Sequence, residues 1–471
     1  MKKHSIDVVV FLKFFVVFLC LSLFVSLMPS LGVAYDFDAS FIGGIGQNGV
    51  PKNAVHIQTA AQLANIGGIQ SEGKYYVLDN DIDLVKEWVP IDDFRGTFDG
   101  QGYSINNLYV LASSHRSFAG LFGGINNATI KNVGVNVSSK GLTAISTYGP
   151  ASAGGLAGWN YGSNVTVVNC YVTGDMAAIS TSKSNSGAYS GAYAGGLIGR
   201  SLGEVFVVNC YVTSDVAADA HSTIFAHAYA GGLVGNVVHV SVANSCTTGT
   251  ITATTSGTGC AGGLVGQSDY SPNEENNVTV KNCYATGAIV ATTTFEYAYA
   301  GGLVGSSGNS VTVEKSYATG NIKATASSGN NTCAGGLIGW KAGRVIVESC
   351  YRLATQKIIG DTVNDAGKPL FLKEMKISQS FVGWDFDTMW SIDPNINGGY
   401  PHLTMFSAIG SSPKDNWGLF GFFWFVILLL LLLVGVIAIV VLFFCCSRRR
   451  KLSVVVDGGL LNSCGSLEGY V

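Results

Sequence analysis

Charge is what this 471-residue chain has least of. Asp, Glu, Lys and Arg together make up 12% of it, about half the share of an ordinary soluble domain. The formal net charge is −3, so there is no basic surface on which nucleic acid or another polyanion would be held. Proline is scarce, at 9 residues against 61 glycines. That balance excludes both a collagen repeat and a Pro-rich linker. The 7 histidines are scattered and no His-Glu-x-x-His occurs, which removes the helix-borne zinc-protease pattern. Between the chain ends lie seven of the 11 cysteines, and with the histidines they form no Cys-x-x-Cys pair or Cys/His cluster, so zinc-site spacing is missing too. No metal or cofactor is expected. Helix-surface residues are also few in the middle of the chain. Val, Thr, Tyr and Gly replace the Glu, Lys and Leu that helices favour, and the composition there is that of β-structure.

Long apolar runs occur only at the two ends. Residues 1–34 begin with Lys2 and Lys3, continue through an apolar stretch from Val8 to Met28, and offer small residues at Gly32 and Ala34. This is the layout of a secretory signal peptide. A retained signal anchor is the alternative, disfavoured by Lys13 inside the run. The second run, 419–444, has 26 residues without a charge, more than the ~20 needed to span the hydrocarbon core. Trp417 and Trp424 suit a membrane interface, and Arg448-Arg449-Arg450-Lys451 follow at once. A basic cluster beside a span marks the cytoplasmic side. The segment before the span is then extracellular or lumenal, consistent with the signal peptide. Cys445 and Cys446 at the inner edge are candidates for palmitoylation. The tail's Asp457-Gly-Gly-Leu460-Leu461 resembles an acidic dileucine sorting signal.

Between the ends the chain repeats. Ala-Gly-Gly-Leu-x-Gly begins at Ala153, Ala194, Ala230, Ala261, Ala300 and Ala334, and a degenerate copy begins at Phe118. The leucines, Leu121, Leu156, Leu197, Leu233, Leu264, Leu303 and Leu337, are spaced by 35, 41, 36, 31, 39 and 34 residues. Each block leads to a Val-x-Val strand, a small residue and an aromatic, as in Val278-Thr-Val-Lys-Asn-Cys-Tyr-Ala-Thr-Gly287. Alternating Val and polar residues predict a half-buried strand. A Thr/Ser/Ala stretch of variable length follows and is expected to loop outward. A unit of this size with about three strands suits one coil of a parallel β-helix. Paired glycines would form sharp corners, and the leucines would stack inside. Aligned without gaps, one column reads Val133, Cys170, Cys210, Ser245, Cys283, Ser316, Cys350. The next reads Gly134, Tyr171, Tyr211, Cys246, Tyr284, Tyr317, Tyr351. Val, Cys and Ser share small size, so the first column is expected to be buried packing, where Cys acts as a small hydrophobe. Only Cys170 and Cys210 of that column are on adjacent coils, and Tyr299 separates Cys260 from Cys333. A disulfide framework is therefore not expected.

These blocks resemble the GLUG motif, named for its Gly-Leu-hydrophobic-Gly core. The flanks agree: Tyr76-Val-Leu-Asp-Asn-Asp-Ile-Asp-Leu84, Trp88-Val-Pro-Ile91 and Phe94-Arg-Gly-Thr-Phe-Asp-Gly-Gln-Gly102 before the array, and Trp384-Asp-Phe-Asp-Thr-Met-Trp390 and Asn397-Gly-Gly-Tyr-Pro-His-Leu403 after it. The likeness spans about 53–403. It implies a noncatalytic array of the kind carried by bacterial surface proteins, some of them related to immunoglobulin A1 proteases, and by protist membrane proteins. The trailing block would be the polar-faced cap that a solenoid needs.

Chemistry finds little purchase. Asp79, Asp81 and Asp83 alternate, but Leu84 and Pro90 stand where a calcium loop needs Gly and Glu, so a strand with outward carboxylates is expected. A polysaccharide-cleaving β-helix needs clustered carboxylates and bases. Residues 141–340 hold nine acidic and five basic residues in no recurring column, and Asp92, Asp93 and Asp99 form the only local group. Tyr189, Tyr193, Tyr229, Tyr297 and Tyr299 supply amphipathic contact area or else pack on one another at coil corners. Glycosylation sequons occur at Asn127, Asn136, Asn164, Asn277 and Asn330, with the corner at Asn127, Asn164 and Asn277 expected to face solvent.

The expectation is all-β: a parallel β-helix of about seven coils plus capping strands, followed by one transmembrane helix. The divisions are 1–34 signal peptide, 35–117 N-terminal lead-in and cap, 118–355 repeats, 356–410 C-terminal cap and stalk, 417–446 transmembrane helix and 447–471 cytoplasmic tail. The functional expectation is a noncatalytic type I surface protein for adhesion or coating, with the membrane and an extracellular glycan or protein as partners and no nucleic acid. The alternatives are a carbohydrate-processing β-helix enzyme and a purely structural spacer or receptor ectodomain.

Overall fold

The computed structural model describes residues 49–182, 190–222, 226–270, 278–327 and 331–410. The signal peptide, the transmembrane run, Cys445, Cys446, Tyr189, Asn277 and Asn330 lie outside them. Among the described residues no helix is long and apolar enough to cross a membrane. The chain divides into two units, one holding the residues up to Ile392 with Tyr400–Met405, the other Asp393–Gly399 with the residues from Phe406 onward. The described part of the second unit includes a short turn in which the Gly399 amide donates to the Ile396 carbonyl at 2.9 Å.

The first unit is a mostly-β parallel solenoid of about seven repeat turns. One coil shows the plan. Ala151–Gly154 lies in sheet 1, Ala157–Asn160 in sheet 2 and Asn164–Val168 in sheet 3. Tyr171–Thr173 and Met176–Ser182 both lie in sheet 4. Every strand of these four sheets pairs in parallel with its equivalents in neighbouring coils, for example Tyr193 with Tyr229 and Val167 with Val207. Three strands before the first glycine block, Val55–Ile57, Tyr75–Leu78 and Thr97–Asp99, extend sheet 3. The lead-in is thus itself built of coils.

Val-x-Val alternation does what a period of two requires. Val165, Val167, Val205, Val207, Val278, Val280, Val311 and Val313 are fully buried, while Phe206 between two of them faces out. All seven repeat leucines are at 0% exposure. Each is worth roughly 1.5–3 kcal/mol of burial. The corner that carries them needs glycine: a Cβ on Gly196 would collide with the Gly232 carbonyl oxygen of the next coil and sit 2.6 Å from Val212 Cγ1.

A coil has five strands where about three were expected, and the Thr/Ser/Ala stretch is the fifth. Ile289–Thr293 pairs in register with Ile251–Thr255 and Ile322–Ala326. Ile289 and Ala291 point inward and Thr292 outward. The alternation is present, but alanine at inward positions makes it weak to read. The variable lengths fall after this strand and, in one coil, in the insertion from Asp269 to Asn277 between sheets 2 and 3.

The two aligned columns sit in the expected register. The small column, from Val133 to Cys350, is buried throughout, and its chemistry is sharper than size alone. Cys170, Cys210, Cys283 and Cys350 donate to the carbonyl two residues back at 3.1–3.2 Å. Ser245 and Ser316 do the same at 2.7 Å. The seven described cysteines are free thiols. Burial drives up the pKa values of Cys170, Cys246, Cys260, Cys283, Cys333 and Cys350, that of Cys350 to about 12, so these are poor nucleophiles.

One column was not foreseen. Asn132, Asn169, Asn209, Asn244 and Asn282 immediately precede the small residues, all with φ of 49–54°. Asparagine tolerates this left-handed region better than other residues with a Cβ. Each side-chain amide donates to the asparagine one coil below at 2.9–3.1 Å, and Asn132 donates to Asp99 at 3.0 Å. The ladder satisfies polar groups at the corner between sheets 3 and 4.

The C-terminal block departs from expectation. Lys368–Leu370 does pair at the solenoid end. Residues after it run back along the outer face of sheet 4 and cover Tyr284, Tyr317 and Tyr351 of the tyrosine column. Trp384 and Trp390 pack on Tyr317, and Tyr351 meets Phe381 edge-on. Tyr317 Oη donates to the Pro401 carbonyl at 2.6 Å, and the Val382 amide donates to Tyr351 Oη at 2.7 Å. Stacked aromatic rings on a flat sheet are a large apolar surface, so the block shields a side as well as an end.

Candidate functional site: a groove between sheets 1 and 2

Inward residues of sheets 1 and 2, such as Ala153, Ala194, Ile198 and Val234, belong to the main core. Their outward neighbours form a second, separate cluster of Trp159, Tyr193, Tyr229 and Cys260, with Phe118 and Tyr299 against it. Two outer faces can share a cluster only where the sheets fold toward each other. The Gly-Gly-Leu corner lies between the two sheets, and the side chains of both outer faces fill the angle along the column.

Its walls are the residues that flank each repeated block. Sheet 1 contributes Phe118, Ser152, Tyr193, Tyr229, Cys260, Tyr299 and Cys333, in register. Sheet 2 contributes Gly124, Trp159, Arg200, Asn236, Gln267, Ser306 and Trp340. Across the groove, Phe118 meets Trp159 at 5.1 Å and Tyr299 stacks on Trp340 at 5.3 Å. The Arg200 guanidinium lies 4.6 Å from the Trp159 ring centre and 4.4 Å from that of Tyr193.

The groove's polar atoms are incompletely matched. Ser152 Oγ, Trp159 Nε1, Arg200 Nε and Asn236 Oδ1 are buried without a hydrogen-bond partner. Asn236 Nδ2 donates to Asp269 Oδ1 at 2.9 Å, which fixes the amide orientation and aims Oδ1 elsewhere. Burial raises the Asp269 pKa, against the lowering effects of Asn236 and Arg200. Burial also lowers that of His227. Unmatched buried polar atoms normally cost about 1–3 kcal/mol each, so their concentration here marks the site.

The tyrosines divide. Tyr193 and Tyr229 are packed into the groove at 0% and 6% exposure, whereas Tyr297 is 46% exposed and stacks on Tyr299. Tyr161, at the groove's N-terminal end, is 42% exposed. Of the sequons, Asn127 and Asn164 are exposed at the corner expected for them. Asn136 is half-buried, bonded to Asn106 at 2.7 Å and to Thr173 at 2.8 Å.

Four of the suspected acids, Asp79, Asp81, Asp93 and Asp99, are engaged in hydrogen bonds or ion pairs. Asp99 is 2% exposed and accepts from Tyr75, Asn132 and the Gln101 amide, with Lys131 at 3.5 Å. Asp93 pairs with Arg95 at 2.8 Å. Asp79 takes His56 and Gln58, and Asp81 takes Ser104. These last carboxylates flank a corner and do not line one strand. Among the described residues no group of His, Cys, Asp or Glu is placed to hold a metal ion.

No family model matches the chain. A 172-residue stretch, 33% of this chain, is 32% identical to a protein of Evansella cellulosilytica provisionally named a Gly-rich membrane protein. The match spans only 19% of that relative's length. A crystal structure from Bacteroides ovatus, provisionally named an immunoglobulin A1 protease, aligns over 75% of this chain and 92% of its own, with 20% identity and a TM-score of 0.43.

Proposed function

We propose that this chain is a noncatalytic, GLUG-type surface protein that holds a rigid solenoid outside the membrane for adhesion or surface coating. A single span at 417–446 anchors it, with the last residues cytoplasmic. The observation that carries the adhesive reading is the aromatic strip along the outer faces of sheets 1 and 2, edged by exposed Tyr161 and Tyr297, on a scaffold whose backbone is already paired. Such an array presents contacts without needing to move. The noncatalytic reading draws support from the acids of the lead-in, whose oxygens are committed to Tyr75, Asn132, Arg95 and Ser104. The membrane reading rests on the apolar run, the basic cluster and the N-terminal signal, and the name of the bacterial relative agrees with it. Exposed Asn127 and Asn164 would carry glycans in a eukaryotic secretory pathway.

Protease protection on intact cells tests the topology. External protease should reach 49–410 and leave a membrane-protected C-terminal fragment. Protection of the solenoid with digestion of the tail would reverse the orientation and end the surface reading.

A further inference from the structure

We infer that the solenoid associates head to tail with a second copy of itself, the C-terminal end of one stack of coils receiving the N-terminal end of the next. The inference goes beyond the surface-display reading and does not depend on it. The four sheets do not stop at one level. At the C-terminal end sheets 1 and 4 each gain a last strand, Thr362–Asn364 and Lys368–Leu370, whereas sheet 3 stops at Val345–Glu348 in the coil before. Sheet 3 is set back there by one strand, ~4.8 Å. At the N-terminal end sheet 3 projects instead. Val55–Ile57 lies one strand beyond Tyr75–Leu78, whose coil holds Ile82–Asp83, the first strand of sheet 4. The projection at one end matches the recess at the other.

Both end strands of sheet 3 leave the core unfinished. Val345 and Val347 continue the buried positions of Val311 and Val313 but are only half-buried. At the other end Val55 continues the buried positions of Tyr76 and Phe98 and is 42% exposed. Among the described residues each of these strands pairs on one side only. Val345–Glu348 has no proline and no charge before its last residue, and such an edge is an open template for pairing.

The backbone specifies the register. The Val311 and Lys315 amides donate to the Arg344 and Glu348 carbonyls. Alternation along the strand then turns the polar groups of Val345 and Val347 to the free edge. The Asp79 amide donates to the Ile57 carbonyl, so those of His56 face the free edge at the other end. One unbroken column of inward residues runs from Val55 to Val347. Continuing that column sets Val347 against the next copy's Val55 and Glu348 beside its His56. In this register the His56 amide donates to the Val347 carbonyl, as a parallel ladder requires. Sheet 4 follows. Exposed Lys368 comes beside the next copy's exposed Asp81, and the Pro369 carbonyl comes before its Asp83 amide.

Two C-terminal ends fit less well, because the extra strands of sheets 1 and 4 would meet before the sheet 3 edges did. Contact between unlike ends does not close on itself, and repetition gives an open string.

The test uses the full chain in detergent micelles. Sedimentation should show a protein mass that climbs past two copies as the chain is concentrated. Chains carrying Glu348→Cys mixed with chains carrying His56→Cys should form disulfide-linked dimers on mild oxidation, since adjacent strands place such residues within reach of that bond. Neither variant alone should exceed the background of the unaltered chain. Lys368→Glu should weaken association severalfold by setting like charges together, and adding Asp81→Lys to the same chain should restore it. All four positions are exposed, and the mass of the unaltered chain needs no variant to fold. A single-copy mass at every concentration overturns the inference. So does a mixture that cross-links no more than its components. Glu348→Cys linking to itself above background also overturns it, by assigning the contact to paired C-terminal ends. Inverted topology on cells ends the display reading and leaves this inference standing.

Discussion

Two aromatic columns run along this solenoid and they end differently. On sheet 4, Tyr284, Tyr317 and Tyr351 are covered by the chain's own C-terminal block, which supplies Pro401 for Tyr317 and Val382 for Tyr351, while its Trp384 donates to the solenoid's Ser349. In the groove of sheets 1 and 2 the chain supplies rings but leaves Ser152, Trp159, Arg200 and Asn236 with unmatched atoms. A parallel sheet makes stacked columns of like residues almost unavoidable, so an aromatic column alone says nothing about function. The two differ in degree: the cover also holds one buried, unmatched atom, Trp390 Nε1, against four between sheets 1 and 2.

That contrast can be broken first at the cover. Trp384 touches Tyr317, Tyr351, Phe381 and Trp390. Trp384→Ala should cost about 3–5 kcal/mol, read as a lowered denaturation midpoint, and expose the C-terminal block to proteolysis. A loss below about 1 kcal/mol would mean the block is not a side cover. Within the cover, Tyr317→Phe strips the hydroxyl from the Pro401 carbonyl and should cost about 1–1.5 kcal/mol with packing retained.

The groove should respond with the opposite sign. Arg200→Met removes a guanidinium whose Nε is buried without a partner and keeps apolar bulk between two rings. The protein should become more stable by about 1 kcal/mol, read as a raised denaturation midpoint. A clear destabilisation would assign Arg200 a structural task. The smallest effect concerns the asparagine ladder, which both regions share as scaffold. Lys315 continues the column at φ 45° without an amide to join it. Lys315→Asn should extend the ladder from Asn282 and raise stability by about 0.5 kcal/mol, visible as a small rise in midpoint.

Much of the scaffold was legible residue by residue. The leucines, the Val-x-Val strands and the register of the Cys/Ser and Tyr columns follow from spacing, because stacked coils place like beside like. The asparagine column was equally legible, standing one residue before the Cys/Ser column, yet a polar residue in a strand-rich repeat reads as a turn until its left-handed φ is seen. The fifth strand hid behind inward alanines. The groove had one available signal: residues on either side of the Ala-Gly-Gly-Leu-x-Gly block change from coil to coil while the block does not. Nothing in that pattern states that the two flanks face each other.

The sequence by itself determined the solenoid, its repeat and its register, because period-two burial and a recurring glycine corner depend on neighbours close along the chain or one coil away. Only the tertiary structure decided that sheets 1 and 2 close into a groove, that Arg200 lies between Trp159 and Tyr193, and that the C-terminal block lies on sheet 4. Those outcomes depend on the angle at which the chain leaves a glycine corner and on contacts such as Tyr317 with Pro401, 84 residues apart. No local pattern encodes an angle or a contact of that reach.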